Sequence, residues 1–175
     1  MTDIIVQPRT SIIDKIAELN WQDLADAMHT KGYVMVPGFL TELQCEQLVR
    51  LYDQPVGYRK TVVMERYRFG LGEYRYFDYP LPNLVQTIRE NLYPGLAPIA
   101  NLWMQLLNIN TQFPATYEEL QAQCHAAGQL KPTPLILRYG RGGFNTLHQD
   151  LYGDVFFSPA NGVYAQPAGG GLYRR

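Results

Sequence analysis

The chain has 175 residues, of which 46% are hydrophobic and 18% are charged, and its formal net charge is −1. This length and apolar content predict one domain with a substantial core. The near-zero net charge rules out no partner, but it gives no general attraction to nucleic acid or to anionic membranes. Residues 1–9 contain Asp3 and Pro8 and no long apolar run, so they do not have the pattern of a secretory signal.

The sequence also contains no apolar run of about 18 residues, the length that a membrane-spanning helix needs. Two cysteines, Cys45 and Cys124, are too few for a disulfide framework and predict free thiols in a reducing compartment, although two cysteines can pair. A soluble, cytoplasmic protein without a membrane partner is therefore expected.

The first elements are predicted from apolar spacing and from capping residues. Apolar residues at helical spacing between Ser11 and Thr30 predict one or two helices. The apolar segment Gly32–Gly38 predicts a short strand that ends in a Pro-Gly turn. Thr41 and Gln44 form a capping box that predicts the start of a helix. The residues expected on the buried side of this helix are Leu43, Leu48, Val49 and Leu51.

The stretch from Tyr58 to Tyr79 is rich in tyrosine and arginine and predicts strands broken at Gly70–Gly72. Two interpretations fit these side chains. One is a stacking or phosphate-binding surface. The other, which we favour, is a β-region whose aromatic rings pack together. The basic residues in this stretch are Arg59, Lys60, Arg66, Arg68 and Arg75.

A long helical pattern runs from Leu84 to Asn108, and prolines inside it are expected to kink or split the helix. A second capping box at Thr116 and Glu119 predicts a helix that ends at Gly128. A strand is then predicted from Leu135 to Tyr139. The residues of the long helix expected in the core are Trp103, Met104, Leu106 and Leu107.

Residues 137–150 carry the chemistry and predict a strand, a glycine-rich turn and a second strand. His148 and Asp150 are two residues apart, so on a strand both side chains leave the same face. An imidazole and a carboxylate supply two ligands of a 2-His-1-carboxylate site, which binds Fe(II) on one face and leaves positions open. A surface histidine beside a solvated aspartate is the alternative for so short a motif. His29 and His125 fit ordinary helix-face positions.

The surrounding residues distinguish these alternatives. Arg138-Tyr139, the glycine-rich turn and His148-Gln-Asp150 resemble the pattern of AlkB-type Fe(II)/2-oxoglutarate-dependent dioxygenases. The likeness continues through Leu151–Phe157 and extends upstream to Gly32, where the chain resembles a bacterial branch proposed to oxidise nucleic acid. The resemblance implies an α+β fold: a double-stranded β-helix, or jelly-roll, core with N-terminal helices packed outside, incomplete in this chain.

The resemblance also implies roles for individual residues. His148 and Asp150 would bind Fe(II), and Tyr139 would hydrogen-bond a carboxylate of the cosubstrate 2-oxoglutarate. The family has an asparagine two residues before that tyrosine, whereas this chain has Leu137, so the cosubstrate contact differs there. The family's third metal ligand and its later carboxylate-binding arginine have no counterpart here. Phe144 and Leu147 are expected to pack inside the barrel.

The composition changes after Phe157, and residues 158–175 are rich in glycine and proline. The related branch continues instead with an apolar strand and a Gly-Gly sequence, and a shift of one nucleotide in reading frame converts such codons into the observed tail. We therefore expect residues 1–157 to be the N-terminal part of one oxygenase domain and residues 158–175 to be out of frame or disordered. Loss of later strands and of one ligand predicts exposed edges, weak iron binding and an inactive chain.

For the intact protein, the resemblance implies oxidative decarboxylation of 2-oxoglutarate with O2, coupled to hydroxylation of a C–H bond. Oxidative demethylation of damaged nucleic acid is the first candidate reaction. A prolyl or other amino-acid hydroxylase has the same core. A non-catalytic remnant or binding protein, and a cupin-like enzyme with another divalent metal, are the remaining alternatives.

Overall fold

The computed structural model describes residues 11–148 together with Val155 and Phe157. Within this part the chain is a mixture of helices and antiparallel strands. The helices are α1 (Ile12–Ala17), α2 (Trp21–Lys31), α3 (Glu42–Tyr52), α4 (Asn83–Leu106) and α5 (Tyr117–Ala126), with a short 3₁₀ helix at Met64–Tyr67. The strands are β1 (Tyr58–Val63), β2 (Gly70–Leu71), β3 (Glu73–Phe77), β4 (Leu135–Arg138) and β5 (Phe144–Asn145).

The N-terminal helices form as their capping residues predict. Ser11 begins α1 with a capping box to Asp14, and the side chain of Asn20 accepts a hydrogen bond from the backbone of Asp23 at the start of α2. A side chain at Gly95 of α4 would overlap the indole of Trp21, so the absence of a Cβ there lets α2 approach α4 closely.

The strand predicted at Gly32–Gly38 is wrong. This segment is irregular, and Met35 is 77% exposed. A strand needs a hydrogen-bonding partner, and none of the described strands pairs with this segment. Instead, the ammonium group of Lys15 donates hydrogen bonds to the carbonyls of Gly38 and Phe39, at 2.9 and 3.0 Å.

The capping box at Thr41 and Gln44 is confirmed as the start of α3. The predicted buried side of this helix is wrong in part, because Leu43 and Val49 are exposed. The residue of α3 that is fully buried is Tyr52, at its last position. The helix therefore contacts the rest of the protein through its C-terminal end, where the sheet begins.

The long helix α4 is continuous despite Pro94 and Pro98 inside it. Among the residues expected in the core, Met104 is buried and Trp103 is half-buried. The predictions for Leu106 and Leu107 are wrong, since both are exposed where the helix ends. The buried cluster around α4 comprises Tyr93, Ala97, Ala100, Met104, Phe113, Tyr117 and Leu120, with Val155 and Phe157 packed against it.

The described strands form two antiparallel sheets. One sheet has the order β1-β3-β4, and the other is the pair β2-β5. In the larger sheet Glu73 lies opposite Arg138 and Tyr76 lies opposite Leu135. The chain therefore passes from the larger sheet to the smaller one at β2, returns for β3 and β4, and enters the smaller sheet again at β5. This crossing places the turn after β4 against β2, where the candidate site lies.

Asn101 attaches the loop before α5 to α4. Its side-chain amide donates to the carbonyl of Phe113 at 2.9 Å, and its carbonyl oxygen accepts from the backbone nitrogen of Phe113 at 2.7 Å. Replacing Asn101 with alanine leaves both backbone groups without these partners. We expect Asn101→Ala to lower the free energy of unfolding by about 1–3 kcal/mol, measured by urea denaturation.

Asn91→Ala is the matched control for this prediction. Asn91 lies on the same helix and donates one hydrogen bond, to the carbonyl of Thr87 within α4. Its replacement removes no hydrogen bond to another element, so the decrease should be smaller, about 0.5–1.5 kcal/mol. Equal decreases for the two variants would show that the Phe113 hydrogen bonds do not hold the loop.

Candidate active site

Tyr139 follows β4 directly and lies over two glycines. A Cβ on Gly72 would be 2.9 Å from Cδ1 of the Tyr139 ring, and a Cβ on Gly143 would be 2.9 Å from the Tyr139 Cβ. Such distances are shorter than ordinary carbon contacts, so only glycine fits at both positions. Gly143 of the glycine-rich turn and Gly72 thus leave the space that Tyr139 occupies at the junction of the two sheets.

The second strand predicted in the chemical motif is shorter than expected. The strand β5 contains only Phe144 and Asn145, and its partner is β2 rather than β4. Directly after β5, the backbone nitrogen and the hydroxyl of Thr146 both donate to the carbonyl of Phe69, at 2.8 and 3.0 Å. The expectation that His148 lies on a strand is wrong, since no described strand continues the ladder beyond this point.

The ring of His148 is nevertheless oriented by the backbone. Its Nδ1 lies 2.8 Å from the carbonyl oxygen of Thr146. A carbonyl only accepts, so Nδ1 is the donor and, in the neutral ring, Nε2 carries the lone pair. Metal-binding histidines commonly donate their second ring nitrogen to a backbone carbonyl in this way. Asp150, the second predicted ligand, lies outside the described residues.

A polar cluster centred on Tyr52 connects α3 to the larger sheet. The Tyr52 hydroxyl donates to Glu73 at 2.6 Å. Arg75 donates to the same carboxylate at 3.3 Å, and to the carbonyl of Tyr52 at 2.7 Å. Arg138 lies 3.7 Å from Glu73 and 3.0 Å from Asp53. The cluster thus joins the end of α3 to β3 and to the last residue of β4.

The same cluster contains cation–π contacts, which hold its arginines in place. The guanidinium carbons of Arg138 and Arg75 lie 4.2 and 4.5 Å from the centroid of the Tyr52 ring. Burial, together with the hydrogen bond to Glu73, raises the pKa of the Tyr52 hydroxyl to about 12. The hydrogen bond from Tyr52 in turn lowers the pKa of Glu73 below its ordinary value. The carboxylate is therefore ionised and the phenol neutral at pH 7.

The arginine- and tyrosine-rich stretch divides into two parts. In the inner part, Arg59 lies 4.3 Å from the centroid of the Tyr76 ring and donates to the carbonyl of Pro132. Arg75 is held in the Tyr52 cluster. These residues pack together, as the favoured interpretation states. The outer part, from Arg66 to Phe69, is exposed.

Several other predicted positions have clear outcomes. Phe144 and Leu147 are exposed in the described structure, so the expectation that they pack inside a barrel is wrong here. His125 is an exposed residue of α5, and His29 accepts a hydrogen bond from the indole of Trp103. Both fit the helix-face positions predicted for them. Within residues 11–148, Val155 and Phe157, no group of three or more His, Cys, Asp or Glu side chains is placed to hold a metal ion.

Comparison with known proteins defines the class of this chain. Residues 72–163, more than half of the chain, match the family Oxygenase-NA, described as an oxygenase catalysing oxidative methylation of damaged DNA. The chain belongs to this family, and the predicted relationship to Fe(II)/2-oxoglutarate-dependent oxygenases is confirmed. The match includes the Gly72 contact, Tyr139 and the segment that bears His148.

Two relatives from Mycobacterium tuberculosis are similar over part of the chain. They are the uncharacterized protein MT2286 of strain CDC 1551 / Oshkosh and the uncharacterized protein Rv2227 of strain ATCC 25618 / H37Rv, each 42% identical over 81 residues. These residues are 46% of this chain and 35% of each relative, so the match spans about a third of the relatives' length. No solved structure matches the chain.

No helix in the described part of the chain is both long and apolar enough to cross a membrane.

The Tyr52 cluster makes a prediction about stability and pH. Tyr52→Phe removes a hydrogen bond to an ionised acceptor and should lower the free energy of unfolding at pH 7 by about 1.5–3 kcal/mol. The pKa of Glu73 is lowered in the folded protein, so this stabilisation is present above the ordinary value of 4.5 and disappears as pH falls through the folded value. Urea denaturation at a series of pH values measures both effects.

Tyr58→Phe is the matched control, since the Tyr58 hydroxyl donates to the uncharged carbonyl of Leu51 at 2.6 Å. Removal of the Tyr58 hydroxyl should lower the free energy of unfolding by about 0.5–1.5 kcal/mol. That cost should not decrease in the acid range where Glu73 gains its proton. A Tyr52→Phe penalty that stays constant through this range would contradict the charged hydrogen bond.

Proposed function

We propose that this chain is part of an Fe(II)- and 2-oxoglutarate-dependent dioxygenase that hydroxylates a C–H bond. Damaged nucleic acid is the proposed substrate, with oxidative demethylation as the reaction. The observation that carries the proposal is the hydrogen bond from Nδ1 of His148 to the Thr146 carbonyl, because it presents the tautomer that a metal ligand requires. Membership of the damaged-DNA oxygenase family supports the reaction class and the substrate.

The residues present fit the implied metal by the chemistry of their donors. An imidazole nitrogen from His148 and a carboxylate from Asp150 are the ligand types of a 2-His-1-carboxylate Fe(II) site. When bound, Fe(II) would supply the oxidising chemistry, driven by O2 and 2-oxoglutarate. Tyr139 would donate its hydroxyl proton in a hydrogen bond to a carboxylate of 2-oxoglutarate, and Gly72 leaves the space that its ring occupies.

We also propose that the two sheets are part of a double-stranded β-helix, with the N-terminal helices outside it. The support is the chain path, because β3 and β4 belong to one sheet while β2 and β5 belong to the other. Alternation between two antiparallel sheets is characteristic of jelly-roll folds. In this proposal residues 1–157 belong to one oxygenase domain and residues 158–175 to a tail outside it.

Substitution of His148 tests the proposed site. We expect His148→Ala to lower Fe(II)-dependent release of succinate from 2-oxoglutarate at least about 100-fold, because a metal ligand is removed. His125→Ala, which changes an exposed histidine of α5, is the matched control and should retain full activity. Succinate release is measured with the chain as it stands and with a version whose reading frame is restored after codon 157.

The outcomes separate the alternative functions. Activity in either version that survives His148→Ala would remove His148 from the site. Activity that needs a divalent metal but not 2-oxoglutarate would indicate the cupin-like alternative. Folded protein without any succinate release in both versions would leave the non-catalytic interpretation. Formaldehyde release from methylated DNA, compared with hydroxylation of a peptide panel, distinguishes the nucleic-acid substrate from an amino-acid side chain.

A further inference from the structure

An exposed pair of stacked aromatic rings lies at the end of the 3₁₀ helix. The Tyr67 and Phe69 ring centroids are 5.6 Å apart and their planes differ by 19°. The two residues are 55% and 41% exposed. Each ring thus keeps about half of its surface open to solvent, and stacked aromatic faces that remain accessible can take a flat ring from a ligand.

The backbone holds this pair firmly. Met64, at the start of the 3₁₀ helix, is completely buried, and its carbonyl accepts from the backbone nitrogen of Phe69 at 3.1 Å. Arg68, between the two rings, has the left-handed backbone angles φ 59° and ψ 28°. L-residues other than glycine, asparagine and aspartate are strained in this conformation. The chain thus maintains a strained arginine where it brings the rings of Tyr67 and Phe69 together.

The aromatic pair is connected to the candidate metal ligand by consecutive hydrogen bonds. The carbonyl of Phe69 accepts from the backbone and the hydroxyl of Thr146. The carbonyl of Thr146 accepts from Nδ1 of His148. Thr146 is therefore the one residue between Phe69 and His148 in this series of hydrogen bonds, so the segment that carries the aromatic pair is attached to the segment that carries the proposed ligand.

The charges around the pair differ from those of the inner cluster. Arg66 and Arg68 are exposed, and within the described part of the chain no hydrogen bond or ion pair is found for their side chains. Glu65 is the nearby acidic residue, and its carboxylate accepts from the backbone nitrogen of Gly72 at 3.4 Å. Stacking surfaces flanked by arginines suit a polyanion with flat rings better than an apolar strand or a second copy of this chain.

We propose that Tyr67 and Phe69, with Arg66 and Arg68, form a binding surface for single-stranded nucleic acid. Bases stack on the aromatic pair, and the two arginines contact phosphates on either side of it. This inference rests on the proposed function for its biological meaning, since the surface would hold the proposed nucleic-acid substrate. The binding itself requires neither metal nor 2-oxoglutarate.

The test is titration of a fluorescein-labelled DNA strand of about 4–16 nucleotides with the chain, in EDTA and at low salt, followed by fluorescence anisotropy. The double variant Tyr67→Ala/Phe69→Ala should lower affinity about 5- to 150-fold, the range for removal of base stacking. Tyr67→Phe keeps the ring and should bind like the unchanged protein. Tyr33→Ala, which removes another exposed tyrosine, is the matched control and should also leave affinity unchanged.

A second variant tests the phosphate contacts. Arg66→Gln/Arg68→Asn removes both charges, and asparagine tolerates the left-handed conformation at position 68. The slope of log affinity against log salt concentration should decrease by about 0.7 for each phosphate that the variant no longer binds. Circular dichroism and thermal unfolding verify that every variant compared is folded.

Several results would overturn the proposal. These are absence of binding by the folded chain, equal binding by the Tyr67→Ala/Phe69→Ala variant, and tighter binding of duplex than of single strand. A change in sedimentation mass in that variant with unchanged DNA affinity would instead make the surface an interface between copies. Binding is measured in EDTA and without 2-oxoglutarate, so failure of the proposed chemistry is distinguishable from failure of this surface.

Discussion

The charged hydrogen bond between Tyr52 and Glu73 joins α3 to β3, and Arg138 adds β4 to the same cluster. The candidate site is built on these three elements. Tyr52 ends α3, Glu73 begins β3, and Arg138, the last residue of β4, contacts both of them. The Tyr52 side chain is buried and its hydroxyl must keep a partner, so this hydrogen bond restricts how the helix and the strands meet. Tyr139 follows Arg138 directly, and the geometry of the cluster therefore extends to the candidate cosubstrate contact.

The elements that the sequence predicted well depend on residues close together in the chain. The capping boxes at Thr41 and Thr116 each involve a partner three residues away, and both helices begin where these residues predict. The segment Gly32–Gly38 has the composition of a strand, but strand formation requires a distant partner that the sequence does not reveal. Leu106 and Leu107 fit the apolar pattern of α4 and are exposed because the helix ends there.

In the candidate site too, residues close together in the chain could be predicted, and contacts between distant residues could not. The spacing of His148 and Asp150 indicated two metal ligands, and the resemblance supplied Tyr139 and its proposed role. The hydrogen bonds between Phe69 and Thr146 join residues 77 positions apart, and no local pattern could indicate them. Tyr52 was missed for the same reason, since it lies 21 positions before Glu73. The division of the arginine-rich stretch into a packed part and an exposed part required knowing which arginines meet tyrosine rings.

Glycines determine how closely the two sheets approach at the site. The ladder between β2 and β5 has only two residue pairs, so backbone hydrogen bonds of the sheet alone hold it weakly. A side chain on Gly70 would overlap the carbonyl of Phe144, and one on Gly72 would displace the ring of Tyr139. The positions of Tyr139 and of the stacked aromatic pair therefore depend on the same short ladder. Gly70 and Gly72 therefore belong to the proposed oxygenase site, together with the side chains that would contact ligands.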